Sequence, residues 1–342
     1  MTKAQPTRIN LALQGGGAHG AFTWGVLDRL LEEDSIEIAA ISGTSAGALN
    51  AAALKAGMIS GGRKGAMASL AKLWRDVARV SDLRIPEWMQ PMVPGFEALG
   101  QFAMSMSPFS PAGMAAQVYT PYAWGPMWRN PLERIVRRLD FSQVCANEGP
   151  RLFIGATRVD TGRIRIFSGD EITPKALMAS ACLPTVFQAV EIDGHAYWDG
   201  GYAGNPAMFP LYQPDLPDDV LIVSINPMLR EGVPKTPIDI QNRVNEISFN
   251  SALLGELRAV HFVRRLLRDG RLESGTMKAI RTHLVSDDAL MTEMTGATKM
   301  SPTPTLIARL RAAGHAATDG FLEAHGKKLG HEASFDLRTL FG

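Results

Sequence analysis

Two successive strand, glycine-turn and helix units at the beginning of the chain constrain its fold more than any other feature. Residues 9–13 form an apolar run that ends in three glycines, and residues 21–31 then carry apolar side chains at helical spacing. Residues 36–41 form a second apolar run, which leads through a glycine-containing turn into the alanine-rich stretch 46–56. Because parallel strands need a crossover connection, such consecutive units predict a parallel sheet with helices packed on its faces.

Alternating and helical patterns continue through the rest of the chain. Further strands are predicted at residues 151–159, 164–167, 186–192 and 220–225, with a hairpin turn at 160–162 between the first two. Further helices are predicted at residues 132–139, 173–183, 238–269 and 304–324. The mixture predicts an α/β protein.

The chain is expected to form one domain over residues 1–342, because no internal repeat, low-complexity tail or linker-like stretch divides it. Its core motifs lie within 9–210, and a helical region is predicted at 238–342. Residues 83–128 differ from both, since they are rich in Pro, Gly, Met and aromatic residues, thinly charged, and without a clean period. Adaptable Met and amphipathic Trp suit a lid or cap, so we expect one in this segment.

The charge balance and the cysteine count restrict the partners and the compartment. Lys and Arg number 35 against 34 Asp and Glu, so the formal net charge of +1 predicts no basic surface for nucleic acid. No stretch reaches the roughly 18–20 uninterrupted apolar residues of a membrane-spanning helix, and the N-terminus has no apolar signal core. Cys145 and Cys182 are too few for a disulfide framework. We expect a cytoplasmic protein whose membrane contact, if any, is peripheral.

The strongest chemical signal is Gly-Thr-Ser-Ala-Gly at residues 43–47, between a predicted strand and a predicted helix. A Gly-x-Ser-x-Gly motif in this context is typical of a nucleophile elbow, in which the serine lies on a sharp, strained turn. The motif also puts Ser45 at a helix N-terminus, where free amides and partial positive charge favour an oxyanion. Taken alone, the five letters also fit a small-residue turn that packs a helix on a sheet.

A second glycine motif, Gly-Gly-Gly-Ala-His-Gly at residues 15–20, follows the first strand. Glycine at its first, third and sixth positions also fits a dinucleotide-binding turn. That interpretation is weakened because the second strand leads directly into the serine motif, where a dinucleotide-binding unit needs an acidic residue. In an acyl-transfer enzyme, the amides of Gly16 and Gly17 can converge with that of Ala46 on one carbonyl oxygen, so that one cleft explains both motifs.

The serine hydroxyl needs a proton acceptor, and one loop offers two candidates. His195 is the one residue among 7 histidines that lies in a promising loop. Asp199 follows closely and precedes Gly200 and Gly201, which suggest a tight turn that presents the carboxylate to a neighbouring loop. On residue chemistry alone, either side chain is an acceptable base.

The motifs at residues 15–20, 43–47 and 199–201 resemble, in this order, the three signature motifs of patatin-like phospholipases. The resemblance covers most of the chain and extends to residues 179–184, 205–206 and 242–256. It implies a three-layer α/β/α patatin-like fold with a mostly parallel central sheet. It also implies a catalytic Ser-Asp dyad instead of a triad.

This resemblance assigns roles residue by residue. It implies Ser45 as the nucleophile and Asp199 as the proton acceptor, with no cofactor and no metal. The implied oxyanion hole consists of Gly15, Gly16, Gly17 and Ala46, and the remaining motif glycines are Gly20, Gly43, Gly47, Gly200 and Gly201. Many family members have arginine or lysine at the position of His19, which leaves an anion-binding role for this residue open.

The implied function is lipid acyl hydrolysis of the phospholipase A or lysophospholipase type, through an acyl-enzyme intermediate. The expected partner is a phospholipid or another acyl-ester lipid, with peripheral membrane contact. Another serine esterase, a thioesterase or an intracellular polyester depolymerase on the same fold is an alternative. A non-catalytic lipid-binding or nucleotide-binding regulatory module is an alternative of a different class. No oligomeric state follows from the sequence.

Overall fold

A mixed sheet forms the centre of the computed structural model, which describes residues 5–82, 121–122, 130–273 and 275–341. Its strands are β1 (Thr7–Leu13), β2 (Ile36–Thr44), β3 (Arg151–Arg158), β4 (Ile164–Ser168), β5 (Val190–Ile192), β6 (His195–Asp199), β7 (Asp219–Val223) and β8 (Arg281–Val285). Their order is β5-β6-β3-β2-β1-β7-β8, and β4 pairs with β3. Strands β3, β2, β1, β7 and β8 run parallel, whereas β4, β5 and β6 pair in antiparallel fashion.

Helices pack on this sheet and follow its strands in the chain. Those of the described residues are α1 (Gly20–Glu32), α2 (Ala46–Asp82), α3 (Leu132–Val136), α4 (Phe141–Val144), α5 (Pro174–Ser180), α6 (Pro237–Arg268), α7 (Asp288–Glu293), α8 (Gly296–Met300), α9 (Pro304–His325) and α10 (Arg338–Phe341). Short 3₁₀ turns at Gly17–His19 and Gly200–Tyr202 border the site described below. No helix within the described ranges is long and apolar enough to cross a membrane.

The side chains of β1 divide the core into two layers. Ile9, Leu11 and Leu13 belong to one apolar cluster, which also contains side chains of α1, α2, α5 and α9. Ala12 belongs to a second cluster, which contains side chains of α6 and is bordered by α10. Since successive side chains of a strand point to opposite faces, the sheet separates two helical layers. The structure therefore confirms the expected three-layer α/β/α fold with a mostly parallel central sheet.

The long helices and the hairpin agree with the sequence analysis. Helices α6 and α9 correspond to the predicted helices at 238–269 and 304–324. Strands β3 and β4 pair in antiparallel fashion across the predicted turn, where Gly162 has a φ of +66°. These elements are long or end at strong turn residues, which makes their local patterns easy to interpret.

Other elements differ from the sequence-based expectation. Helix α2 continues beyond residue 56 to Asp82, although the chain leaves helical geometry at Gly61 and Gly62. Strand β5 begins only at Val190, because the predicted strand at 186–192 starts in a turn closed by the bond from Phe187 N–H to the Leu183 carbonyl. Strands β6 and β8 were not expected, and β8 interrupts the C-terminal region predicted as helical at 238–342.

The predicted lid or cap at 83–128 lies outside the described residues except for Pro121 and Tyr122. The Tyr122 hydroxyl accepts a hydrogen bond from Ala189 N–H at 3.1 Å, and the Pro121 carbonyl accepts one from Gln188 at 3.2 Å. These two residues therefore contact the segment that leads into β5. The lid remains a prediction.

Candidate active site

Strand β3 brings the ends of two other strands together. Thr44, the last residue of β2, pairs with Gly155, and Asp199, the last residue of β6, pairs with Ala156. Because β4 occupies the other edge of β3, strands β2 and β6 follow each other along one edge. The residue after Thr44 therefore lies beside Asp199, although the two are distant in the sequence.

Ser45 lies on a strained turn between β2 and α2. Its φ of +55° is in the left-handed region, which residues other than glycine rarely adopt. Two hydrogen bonds fix this turn: Ser45 N–H donates to Ser180 Oγ at 2.9 Å, and Thr44 Oγ1 donates to the Gly204 carbonyl at 2.8 Å. Ser45 is 8 % exposed. This backbone geometry is the one that the glycine-flanked serine motif predicts.

Asp199 presents a buried carboxylate to this turn. It is 1 % exposed, and its Oδ1 accepts a hydrogen bond from Gly201 N–H at 2.8 Å. The Ser45 side chain lies next to this carboxyl group and lowers its pKa. Burial raises the pKa of Asp199 from 3.8 to about 6, while the hydrogen bond from Gly201, the Ser45 side chain and the charge of Lys299 lower it. The structure thus brings together the serine and the aspartate that the sequence singles out.

The loop after β1 approaches the same turn with its backbone amides. Gly15 N–H donates to Asn205 Oδ1 at 2.6 Å, so this amide is occupied. Within the described part of the chain, no hydrogen bond involves the N–H groups of Gly16, Gly17 or Ala46, which precede or begin helical turns. Three amides are therefore available for a substrate oxygen. Gly15 contributes differently, because a Cβ at this position would lie 2.6 Å from Ser45 Cβ.

Backbone crowding explains the glycines of the three motifs. Gly17 has a φ of +59°, and a Cβ there would overlap the carbonyl oxygen of Lys299. A Cβ on Gly47 would overlap the Leu13 carbonyl at the end of β1. An added Cβ would also lie under 3.0 Å from a neighbouring atom at Gly20, Gly43, Gly200 and Gly201. A side chain at any of these positions would push apart the segments that meet at Ser45.

Buried polar residues that the sequence analysis does not single out fix the loop. Gln14 Oε1 accepts hydrogen bonds from the N–H groups of Ile225 at 2.9 Å and Asn226 at 3.1 Å. Asn226 Nδ2 donates to the Gly15 carbonyl at 3.0 Å. A signal for both was present, because Gln14 and Asn226 each follow an apolar strand directly. Since the carboxyl ends of parallel strands meet at one edge of the sheet, such polar residues are candidates for a shared site.

His195, the other base that residue chemistry allows, lies apart from Ser45. It begins β6, whereas Asp199 ends this strand, and four residues of strand span about 13 Å. Its Nδ1 is 2.9 Å from Arg158 Nη2, and the ring lines a cavity of about 950 Å³ beside the β3–β4 hairpin. Ser45 and Asp199 do not line this cavity. The structure therefore does not bring His195 to the serine.

His19 lies within the glycine loop but brings no positive charge to it. The residue is 2 % exposed, and its Nε2 is 2.8 Å from Thr298 Oγ1. Burial, and then the charge of Lys299, lower the pKa of His19 to about 3. The imidazole is therefore neutral at neutral pH, and an anion-binding role through its charge is not available to it.

Comparisons with known proteins give a family match and distant structural similarity. Residues 11–212 match the family described as Patatin-like phospholipase. Aligned over 94 % of this chain, VipD from Legionella pneumophila shows 17 % identity, 67 % coverage of its own length and a TM-score of 0.43. ExoU in its heterodimeric complex with SpcU from Pseudomonas aeruginosa aligns with 94 % of this chain at 20 % identity. The alignment covers 53 % of that chain, with a TM-score of 0.32. The type III effector protein ExoU aligns with 94 % of this chain at 17 % identity. The alignment covers 54 % of that chain, with a TM-score of 0.35.

The chain thus spans about half the length of the two ExoU chains. No curated protein sequence matches it. The family match, in contrast, covers more than half of the chain and includes all three motifs that converge at Ser45. On this basis the chain belongs to the patatin-like phospholipase family, a family of lipid acyl hydrolases.

Proposed function

We propose that this protein hydrolyses fatty acyl esters of lipids, in the manner of a phospholipase A or lysophospholipase, with Ser45 as nucleophile and Asp199 as proton acceptor. The observation that carries the proposal is that strand pairing brings the strained serine next to the buried carboxylate, whose pKa the serine side chain lowers. The amides of Gly16, Gly17 and Ala46, which have no hydrogen-bond partner among the described residues, support it further. Family membership supports the same class of reaction.

In the first step, Asp199 accepts the proton of the Ser45 hydroxyl while Oγ forms a bond to the ester carbonyl carbon. The carbonyl oxygen becomes an oxyanion, to which the amides of Gly16, Gly17 and Ala46 donate hydrogen bonds. Collapse of this intermediate breaks the ester C–O bond, and the proton on Asp199 passes to the oxygen of the leaving alcohol. The products are the alcohol and an acyl ester of Ser45.

In the second step, water attacks the acyl carbon and gives its proton to Asp199. Collapse expels Ser45 Oγ, which regains the proton, and the fatty acid is released. A carboxyl group with an ordinary pKa of about 4 is a weak base for a hydroxyl. Burial raises the pKa of Asp199 to about 6, which strengthens it as a base and leaves it ionised at neutral pH.

Ser45→Ala and Asp199→Asn test the proposed dyad. Each is expected to lower kcat for ester hydrolysis by about 10³-fold or more, because each removes one partner of the proton transfer. Ser60→Ala, on the exposed side of α2, and Asp193→Asn, in the exposed β5–β6 turn, are matched controls and should leave kcat unchanged. Full activity in either purified dyad variant, with its fold intact by circular dichroism, would remove the dyad.

Two further measurements separate the alternatives. A serine-reactive probe that labels Ser45 supports an enzyme, whereas absent labelling with retained lipid or nucleotide binding favours a non-catalytic module. Incubation with phospholipids, lysophospholipids, triacylglycerols, acyl thioesters and polyesters, read by mass spectrometry, distinguishes the hydrolase classes. A dominant thioester or polyester product would contradict the proposed lipid ester substrate.

A further inference from the structure

Lys299 lies in the short helix α8, outside the range 11–212 that matches the family, and contacts the candidate active site. Its Nζ donates to Asn226 Oδ1 at 2.6 Å, and Asn226 Nδ2 donates in turn to the Gly15 carbonyl at 3.0 Å. The carbonyl oxygen of Lys299 borders Gly17, where a Cβ would overlap it. The lysine thus borders the glycine loop with its backbone and is linked to it by its side chain through Asn226.

The ammonium group of Lys299 also faces the turn that carries Asp199. Its Nζ lies 5.7 Å from the centre of the Phe249 ring. This ring packs so closely on Gly201 that a Cβ there would overlap it, and Gly201 N–H donates to Asp199 at 2.8 Å. The lysine is therefore near both halves of the site, the glycine loop and the Ser45–Asp199 pair.

The charges around Lys299 do not neutralise it. Among the described residues, no carboxylate lies within 4.0 Å of its Nζ. The carboxylate of Glu246 is already paired with Arg230 at 2.6 Å and with Arg243 at 3.2 Å. The remaining neighbouring carboxylate belongs to Asp199, which interacts with Lys299 through its charge. Lys299 therefore supplies a positive charge beside the site without being held in an ion pair among the described residues.

We propose that Lys299 is a positioning residue of the active site: its ammonium group supplies the positive charge beside the Ser45–Asp199 pair and, through Asn226, fixes the glycine loop. The inference rests on the proposed function, since it concerns the same Ser45-dependent reaction. A positive charge at this place favours the ionised carboxylate before proton transfer and the oxyanion after it. It belongs to a part of the chain that none of the three motifs covers.

The titration of Asp199 and Lys299 gives this inference a measurable pH dependence. Burial lowers the pKa of Lys299 to about 8, and the charge of Glu246 opposes this shift. The charge of Arg230 lowers the pKa of Lys299 further, whereas the charge of Asp199 raises it. Hydrolysis should be lost as the pH falls through about 6, where Asp199 gains a proton, and decline as it rises through about 8, where Lys299 loses one. His19, with a pKa of about 3, stays neutral across this range.

The test measures kcat/KM between pH 5 and pH 9 with p-nitrophenyl butyrate, an uncharged ester without a phosphate. In Lys299→Met, the acid limb should move to higher pH, because Asp199 loses a neighbouring cation, and the alkaline limb should disappear. In Lys299→Arg, the acid limb should stay in place and the alkaline limb should again disappear, because arginine remains protonated. Lys72→Met, at an exposed position of α2, is the matched control and should show the wild-type profile.

The outcomes separate this inference from the proposed function. If wild-type hydrolysis does not depend on Ser45, the proposed function itself fails. Suppose instead that wild-type hydrolysis depends on Ser45, but Lys299→Met only lowers kcat at all pH values without moving either limb. The lysine is then merely structural and the inference fails. An effect confined to KM for phosphate-bearing substrates would assign the charge to substrate binding and would also overturn it. If Lys299→Met does not fold, persistence of the alkaline limb in Lys299→Arg is the contradicting result.

Discussion

Asp199 is buried, so ionisation of its carboxyl group destabilises the folded protein. Burial disfavours the charged form and raises the pKa from 3.8 to about 6. Below about pH 3 the group is protonated in the folded and the unfolded chain, so burial of the carboxyl carries no electrostatic penalty there. As the pH rises through about 6, the folded chain must hold a buried charge, and this contribution to stability is lost. The basicity that the proposed reaction needs therefore reduces the stability of the fold.

Asp199→Asn is accordingly expected to stabilise the folded protein at alkaline pH while it abolishes hydrolysis. The gain in the free energy of unfolding should reach at most about 3 kcal/mol at pH 8, the equivalent of the pKa shift, and should vanish near pH 3. Urea unfolding at both pH values measures it, with the exposed Asp193→Asn as the matched control. A stability difference that does not change with pH would contradict this account of Asp199.

At the scale of elements, helices α1 and α9 approach each other closely enough for backbone contact. A Cβ on Gly25 would overlap the carbonyl of Arg311, and a Cβ on Gly314 would overlap the carbonyl of Phe22. An ion pair between Arg311 and Asp28 at 2.7 Å lies on the same interface. Since α1 follows the glycine loop directly, the packing of α9 also supports the position of that loop.

Gly314→Ala should separate these helices and lower the free energy of unfolding by roughly 1–3 kcal/mol, the usual range for overpacking. Gly320→Ala lies in the same helix and has no atom within 4 Å of an added Cβ, so it is the matched control. The alanine introduced at position 320 should stabilise α9 by up to about 1 kcal/mol, because alanine has a higher helix propensity than glycine. Urea unfolding of both variants checks the prediction, and equal effects at the two glycines would contradict it.

Local sequence patterns predict some of the strands but not others. The apolar runs at 9–13 and 36–41, with the glycines after them, predict their strands and turns because period and turn chemistry depend on near neighbours. Strands β6 and β8 contain only five residues each, and β6 carries polar and aromatic residues without a clear alternation. They become strands through pairing with β3 and β7, which no local window contains.

For the molecule as a whole, the residues after 212 complete both the sheet and the site. Strands β7 and β8 extend the parallel sheet beyond β1, outside the range that matches the family. Gln14 in the loop after β1 donates to Asn250 Oδ1 in α6 at 3.1 Å, and its own Oε1 accepts from Asn226. The apolar clusters on the two faces of the sheet likewise combine residues from both parts of the chain.

We therefore propose that residues 1–342 unfold as one domain. Differential scanning calorimetry should show a single transition whose calorimetric and van't Hoff enthalpies agree, because both core layers share the same sheet. A chain that ends at residue 212 should show no cooperative transition, since it lacks β7 and α6. Two resolved transitions in the full chain, or cooperative unfolding of the shortened one, would contradict the single domain.

The sequence by itself determined the chemistry that is available. The three glycine motifs, in their order, resemble those of the family, and this resemblance pointed to Ser45 and Asp199; backbone crowding explains why the motifs need glycines. It also indicated the α/β class through the first two strand and helix units. Residue chemistry alone, however, left the choice between His195 and Asp199 open, since both side chains can accept a proton.

Tertiary structure decided which groups meet. Pairing along one edge of β3 puts Asp199 next to Ser45 and leaves His195 at the far end of β6. Lys299 and Asn226 reach the glycine loop from strands and helices late in the chain, and neither belongs to a motif. The physical reason is that turns and helix periods arise from neighbours in sequence, whereas the charge and hydrogen bonding of a site depend on segments that only folding brings into contact.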